Sequence, residues 1–146
     1  MKMKEAGKTK SVGYEIGVRK TFQIPLEKAW KILFSEEGIH IWLGDAKNND
    51  IKVNQSFSTS DGIAGQVRVL KPFSHLRMSW QKEHWKNVST LQIRITKIKS
   101  GTTISFHQEK LLNSDQRHEM RKQWKQVLDQ LSEILKNSNG ERYHSE

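Results

Sequence analysis

Apolar and polar residues alternate along positions 14–24, and this period of two predicts a half-buried β-strand. After Pro25 the apolar residues recur at spacings of three and four, which predicts a short helix, because proline fits the first turn of a helix. Ser35 is a suitable N-cap for a second short helix, which we expect to stop at Gly44. The chain therefore begins with one strand and two helices.

Short alternating runs between positions 48 and 110 predict further strands. The runs are marked by Ile51 and Val53; Val67 and Val69; Leu76, Met78 and Trp80; Leu91, Ile93 and Ile95; and Thr102, Ile104 and Phe106. Turn-forming dipeptides separate several of them, at Asp61-Gly62, Lys71-Pro72 and Ser100-Gly101. Strands joined by such short turns are expected to be antiparallel.

A long amphipathic helix is predicted near the C-terminus. Asn113 and Gln116 have the spacing of a capping box, which places the start of the helix there. One face is apolar and the opposite face is charged, so the helix should lie on a surface of the sheet. The apolar face contains Met120, Trp124, Val127, Leu128, Leu131, Ile134 and Leu135. Too few helices separate the strands for a parallel sheet, and the order of elements predicts an α+β fold.

The length of 146 residues suits a single domain. We place this domain at residues 13–138, between a flexible basic tail at 1–12 and a second flexible tail at 139–146. No stretch approaches the roughly 18 consecutive apolar residues of a membrane span, and positions 1–10 lack the apolar segment of a signal peptide. We therefore expect a cytoplasmic protein without membrane insertion.

The chain is basic, with 25 Lys and Arg against 16 Asp and Glu and a net charge of +9. Such a balance raises the question of a nucleic-acid or anionic-membrane partner. Four lysines and one glutamate within positions 1–10 supply about a third of the excess, and the remaining cations are interspersed with apolar residues, as on an ordinary solvated surface. Nucleic acid is therefore the less favoured partner.

Several kinds of chemistry are excluded or lack residues to perform them. The absence of cysteine excludes disulfides, thiolate nucleophiles and cysteine-ligated metal sites. No two of the six histidines stand four residues apart, and no HExxH string occurs, so no metal site is predicted. Glycine-rich phosphate loops and nucleophile elbows are also missing. We expect no cofactor and no catalysis.

The order of elements and several strings resemble the START-like, or helix-grip, superfamily (also called SRPBCC), in the branch of homologues of the activator of the heat-shock protein 90 ATPase. The resemblance covers roughly residues 17–136. Its pieces are FQIPLEKAWKILFSEEGIHIWLG at 22–44, DGIAGQVRVLKPFSHLRMSW at 61–80, GTTISF at 101–106 and QWKQVLDQL at 123–131. It implies a curved antiparallel sheet of about six strands wrapped around the long helix, with a hydrophobic cavity between them.

Two positions depart from the family pattern. Gln123 stands where the family often has a glycine just before the tryptophan of its last helix, and a larger side chain there would narrow the cavity. Asn54, Gln55 and Ser56 replace a usual pair of glycines before the strand that contains Phe57. Neither change argues against the fold.

The candidate ligand-binding residues combine the inward-facing strand positions with the apolar face of the long helix. They are Phe57, Val67, Met78, Trp80, Trp85, Leu91, Ile93, Ile104, Phe106, Arg117, Met120, Gln123, Trp124 and Leu128. Met78 and Met120 would give adaptable walls, and Arg117 and Gln123 would supply polar groups at the rim. The alternative is that Trp80, Trp85 and Trp124 only pack the core. For the other two tryptophans, Trp30 and Trp42, core packing is the interpretation we favour.

The sequence thus favours a domain that binds a small hydrophobic ligand without catalysis. A protein-interaction module of the co-chaperone type, acting on a chaperone or another protein, is the first alternative. Binding of nucleic acid through the basic surface is the second. Because one fold supports many functions, the resemblance to activators of a chaperone does not by itself decide between these hypotheses.

Overall fold

The structure is a computed structural model that describes residues 8–9, 13–46 and 50–144, with side-chain surroundings for 13–46 and 50–136. The strands of this part of the chain are β1 (Lys8–Thr9), β2 (Gly13–Phe22), β3 (Ser56–Ser58), β4 (Ile63–Lys71), β5 (His75–Lys82), β6 (Ser89–Ile98) and β7 (Gly101–Leu111). The helices are α1 (Leu26–Leu33), α2 (Glu36–Trp42) and α3 (Ser114–His144).

All strand pairs are antiparallel, and the sheet has the order β1-β2-β7-β6-β5-β4-β3. From β3 to β7, each strand pairs with the next one along the chain. The first long strand, β2, pairs with the last strand, β7. Six strands of three or more residues, two short helices and one long helix confirm the predicted α+β helix-grip fold.

Side-chain caps begin two of the helices where the sequence predicts them. The Ser35 hydroxyl accepts a hydrogen bond from the Gly38 N–H at 3.1 Å and caps α2. At α3, the Asn113 side chain accepts from the Gln116 N–H at 2.9 Å, and the Gln116 side chain reaches back to the Leu112 N–H at 2.9 Å. Both predicted caps are confirmed, with the return bond of the capping box made one residue earlier than the standard motif.

One predicted strand is wrong. Ile51 and Val53 do not belong to a strand, and the nearest strand begins at Ser56. The backbone turns at this point, because Gln55 N–H donates to the Lys52 carbonyl at 3.0 Å and Asn54 adopts a φ of +71°. Asparagine tolerates this left-handed conformation, which interrupts the alternation on which the prediction depended.

The first predicted tail falls largely outside the described residues, whereas most of the second lies within α3. Within the first, Lys8 and Thr9 pair with the beginning of β2, and the rest of 1–12 is not described. Helix α3 continues to His144, so the helix does not end at the predicted domain boundary of 138. The flexibility of both tails stays a prediction.

The core lies between α3, the two short helices and the concave face of the sheet. Trp42 is 2% exposed, and its indole N–H donates to the Leu33 carbonyl at 2.8 Å, which fastens α2 to α1. Trp30 is 9% exposed, so the core-packing interpretation of both tryptophans is confirmed. The whole apolar face predicted for α3 is buried or packed against this core.

Candidate functional site

The structure brings most of the predicted ligand-binding residues into one buried region between α3 and the sheet. The buried ones are Phe57, Val67, Met78, Trp80, Leu91, Ile93, Ile104, Phe106, Met120, Trp124 and Leu128. Trp85 is half-buried, and Arg117 and Gln123 lie in partly exposed positions of α3. The shared location follows from the alternation of β4 to β7, which turns every second side chain towards the helix.

Four aromatic rings, each in contact with the next, run through this region, and we call them the aromatic column. Phe106 stacks on Trp124 with ring centroids 5.0 Å apart. Trp124 meets Trp80 edge to face at 5.7 Å, and Trp80 meets Trp85 in the same manner at 5.4 Å. These separations are contact distances for aromatic pairs, so the side chains themselves occupy the space along the column.

A chain of buried hydrogen bonds holds the column from the side. The Trp124 indole N–H donates to the Gln108 side-chain oxygen at 2.7 Å, and the Gln108 amide nitrogen donates to the Ser89 hydroxyl at 2.9 Å. Ser89 in turn donates to the Trp80 carbonyl at 2.5 Å. The four residues lie on α3, β7, β6 and β5, so this relay ties the helix to three strands.

The sequence interpretation missed Gln108 and Ser89, although both are fully buried. Gln108 continues the inward alternation of Thr102, Ile104 and Phe106. This alternation could have identified Gln108 as an inward-facing residue. A buried polar side chain needs hydrogen-bond partners, and here a tryptophan and a serine provide them.

One buried polar group of the column lacks a partner. Trp80 is 1% exposed, and its indole nitrogen is a buried donor without a hydrogen bond among the described residues. The indole groups of Trp42 and Trp124 are both satisfied. An unsatisfied buried donor costs about 1–3 kcal/mol, so this indole is a local source of instability in the column.

Trp85 lies at the outer end of the column, in the loop between β5 and β6. Its backbone N–H donates to the Lys82 carbonyl at 3.0 Å, and its carbonyl accepts from the Gln81 side chain at 2.7 Å. His84 before it has a φ of +75°, which is uncommon for a residue with a side chain. Trp85 also lines a surface cleft of about 480 Å³, together with Lys82, His84 and Ile63. The column therefore ends at this cleft.

A charged pair borders the cleft. The Lys82 ammonium lies 2.5 Å from a carboxylate oxygen of Glu119 and so connects β5 to α3. The same ammonium lies 6.0 Å from the centre of the Trp80 ring. Lys82 and Ile63 also line a second cleft of about 430 Å³, which contains Gln123. The two clefts are therefore adjacent, and Gln123 lines the one that does not contain Trp85.

Arg117 lies elsewhere. Its guanidinium carbon is 5.5 Å from the centre of the Tyr14 ring, and one of its terminal nitrogens is buried without a hydrogen bond among the described residues. It lines a separate cleft of about 350 Å³ with Ile16 and His118. The two residues predicted for one rim, Arg117 and Gln123, therefore line different clefts.

One group of possible metal ligands occurs among the described residues, on the outer face of the sheet. Candidate ligand atoms of Glu15, His107 and Glu109 lie within 4.8 Å of one another. Spacing along the chain could not reveal this group, because β2 and β7 become neighbours only in the folded sheet. Glu109 already pairs with Arg77 at 2.9 Å, which offsets the negative charge that a cation would require.

No helix in the described part of the chain is long and apolar enough to cross a membrane. The curved antiparallel sheet closed by one long helix, with two short helices after the first long strand, defines a helix-grip, or START-like, protein. Within this class the chain belongs to the family described as Activator of Hsp90 ATPase homolog 1-like protein, which matches residues 23–136. The resemblance identified in the sequence is confirmed.

Solved structures agree with the helix-grip fold. CalU16 from Micromonospora echinospora has a TM-score of 0.74 at 21% identity, covering 84% of this chain and 78% of that chain. Aha1 from Colwellia psychrerythraea, described as a dimer, has a TM-score of 0.68 at 15% identity, covering 83% and 95%.

DynU16, a protein of the dynemicin biosynthetic locus, has a TM-score of 0.76 at 13% identity, covering 85% of this chain and 48% of that chain. The present chain therefore spans about half the length of DynU16. A comparison with functionally curated proteins gives no significant match. At these identities the likeness shows the fold alone.

Proposed function

We propose that the protein binds a small, largely apolar ligand that carries a hydrogen-bond acceptor, at the outer end of the aromatic column, without catalysis. The observation that carries this proposal is the buried Trp80 indole N–H, which has no hydrogen-bond partner among the described residues, on a ring whose centroid lies 5.4 Å from that of Trp85. The ligand takes the place of the Trp85 ring, contacts the Trp80 ring and reaches the edge of the indole, where its acceptor receives the in-plane N–H hydrogen bond.

The energetics favour an exchange of one ring for another. Trp85 lies in a loop, and the two hydrogen bonds described for it involve its backbone, so its side chain can move without breaking the pairing of β5 with β6. An aromatic or polycyclic ligand would restore the lost contact area at about 25 cal/mol per Å². Its acceptor would in addition recover the roughly 1–3 kcal/mol lost on the unpaired indole.

The neighbouring groups support the same kind of ligand. Lys82 lies near both Trp80 and the cleft, so a carbonyl or carboxylate oxygen on the ligand would meet a cation as well as an indole donor. Gln123 in the adjacent cleft offers an amide to a second polar group. The interior walls at Met78 and Met120 are unbranched side chains that can adapt to a ligand entering more deeply.

The test begins with native mass spectrometry of the purified protein for a co-purified mass. Thermal-shift screening follows, with fatty acids, sterols, flavonoids and polyketide-like aromatics. We expect a stabilising ligand, and we expect Trp85→Ala to bind it at least as tightly because the competing ring is gone. Trp80→Phe keeps a ring but removes the donor, so it should weaken binding by about 5- to 100-fold.

The matched control is Trp30→Phe, which makes the same chemical change in a core tryptophan that contacts Phe34 and Phe73, away from the column. It should leave the affinity unchanged. A ligand analogue without the acceptor should bind wild type and Trp80→Phe equally. If no compound binds, or if Trp80→Phe and Trp30→Phe reduce affinity alike, the proposed site is refuted.

A second candidate function is a protein-interaction module of the co-chaperone type. The family match supports it, and so does the contact among the column's rings, which fills space in the region where the resemblance implied a hydrophobic cavity. This hypothesis predicts no shift across the ligand panel and a chaperone partner in a binding assay with purified Hsp90. The ligand screen therefore separates the two functions.

A further inference from the structure

We infer that the outer face of the sheet binds an extended acidic segment of a partner protein, along a transverse row of cations formed by Arg19, Arg94 and Lys71. This inference is independent of the ligand site, which lies on the opposite, concave side of the sheet. It depends on the strand register, on the absence of ion-pair partners and on the shape of the charged area.

The register aligns one residue from each of five strands. Arg19 of β2 and Arg94 of β6 both pair with Ser105 of β7, which lies between them. Arg94 pairs in turn with His75 of β5, and His75 pairs with Lys71 of β4. Neighbouring strands are about 4.8 Å apart, so the row crosses about 19 Å of the sheet. We call these five residues the basic row.

The cations of the row are available to a partner. Arg19, Lys71 and Arg94 are exposed, and no salt bridge joins any of them to another described residue. By contrast, Arg77 on the same face pairs with Glu109. Three uncompensated positive charges in one line form a surface that complements a line of negative charges.

His75 lies among the cations of the row. Its pKa is lowered from the usual 6.5 by burial first and then by the positive charges of Arg94, Lys71 and Arg77. These cations face it from β6, from β4 and from its own strand, and the Ser74 hydroxyl contacts its Nδ1 at 2.8 Å. The shift agrees with the geometric evidence that the cations lie close together.

The shape of the charged area favours an acidic peptide over nucleic acid. The row contains no phenylalanine, tyrosine or tryptophan on which bases could stack. Glu15 and Glu109 lie on the same face four residues along the strands from Arg19 and Ser105, a separation of about 13 Å. A single extended segment along the row stays beyond a Debye length of about 8 Å from them, whereas a wider polyanion would approach these carboxylates.

The length of the row specifies the partner further. An extended chain advances about 3.3 Å per residue, so about six residues span the row. Asp and Glu side chains on such a segment can reach the three cations, and Ser105, whose hydroxyl donates to the Arg94 carbonyl at 3.4 Å, places no negative charge between the two arginines.

The test is a fluorescence-anisotropy titration of the full chain with a fluorescein-labelled peptide of six acidic residues, at 50 mM salt. We expect binding, and we expect Arg19→Gln and Arg94→Gln each to weaken it by about two- to fivefold, as for exposed charge pairs. Arg121→Gln on the exposed side of α3 is the matched control, since it removes the same charge outside the row. It should change the affinity less than either row variant.

Two further measurements keep the inference falsifiable. The pKa of His75, followed by NMR, should rise when the peptide binds, because carboxylates offset the repulsion from its neighbours. Equal losses for Arg94→Gln and Arg121→Gln would show attraction by net charge alone and would overturn the inference. Tighter binding of a single-stranded oligothymidylate of equal charge, sensitive to Arg94→Gln, would assign the row to nucleic acid instead and would also overturn it.

Discussion

The hydrogen-bond relay beside the aromatic column allows a quantitative test of how the core is held together. Gln108→Leu removes the acceptor of the Trp124 indole and leaves that donor buried and unpaired. The Ser89 hydroxyl keeps its own bond to the Trp80 carbonyl, so one group is orphaned rather than two. We therefore expect a loss of about 1–3 kcal/mol in the free energy of unfolding.

The reciprocal change should cost more. Trp124→Phe orphans the Gln108 side-chain oxygen and also removes part of a ring that contacts both Phe106 and Trp80. We expect a loss of about 2–4 kcal/mol, the sum of an unsatisfied acceptor and the lost packing. The free energy of unfolding of a natural domain is about 5–15 kcal/mol, so both variants should remain folded.

The double variant decides whether the hydrogen bond is responsible. With Gln108→Leu and Trp124→Phe combined, neither partner is left unpaired, and replacing both partners by apolar groups can be nearly neutral. The double variant should therefore lose at least about 1 kcal/mol less than the sum of the two single variants.

Equilibrium unfolding in urea, followed by far-ultraviolet circular dichroism, measures each loss. Gln126→Leu on the exposed face of α3 is the matched control and should change stability by no more than about 0.5 kcal/mol. Strict additivity of the two core changes, or a Gln108→Leu variant as stable as wild type, would refute the assignment of structural importance to the relay.

Three further predictions concern local structure and pH. Asn113→Ala removes the N-cap of α3 and should cost about 0.5–2 kcal/mol in urea unfolding; an unchanged midpoint would contradict the cap. Gly65→Ala should destabilise by about 1–3 kcal/mol because its new methyl group would collide with the Ser79 carbonyl, whereas Gly17→Ala, whose methyl group meets only ordinary contacts, should be neutral or slightly stabilising. The lowered pKa of His75 means that the folded state binds fewer protons, so stability is full above pH 6.5 and falls as the pH drops towards the folded-state pKa. Urea unfolding at pH 7.5 and 5.0 should show a smaller loss on acidification in His75→Gln than in wild type, and equal losses would contradict the assignment.

The aromatic column shows where sequence interpretation stops. Strand alternation identified Trp80 and Phe106 as inward-facing, the helical period did the same for Trp124, and the burial of all three confirms this. Alternation could not tell whether these rings enclose a space or fill it, because that depends on rotamers and on the separation of α3 from the sheet. The contacts of 5.0–5.7 Å answered this question only in the folded structure.

Local patterns determined the elements of this protein. The caps at Ser35 and Asn113, the buried face of α3 and most of the strands follow from interactions between residues close along the chain, which a single sequence records directly. The exception at Ile51 and Val53 arose where a left-handed Asn54 turned the backbone. The resemblance of residues 17–136 to a known family added the arrangement of these elements.

Only the tertiary structure decided which distant residues meet. Strand register and helix placement brought Trp124 to Gln108 and aligned the exposed row from Arg19 through Arg94 to Lys71. They also placed Arg117 and Gln123 in different clefts. Register is set by packing of the whole sheet against the helix, because a slip of one residue would turn every side chain of a strand to the opposite face. The sequence alone therefore determined which face of a strand or helix each side chain occupies. The assembled sheet and helix determined which side chains are neighbours on each face.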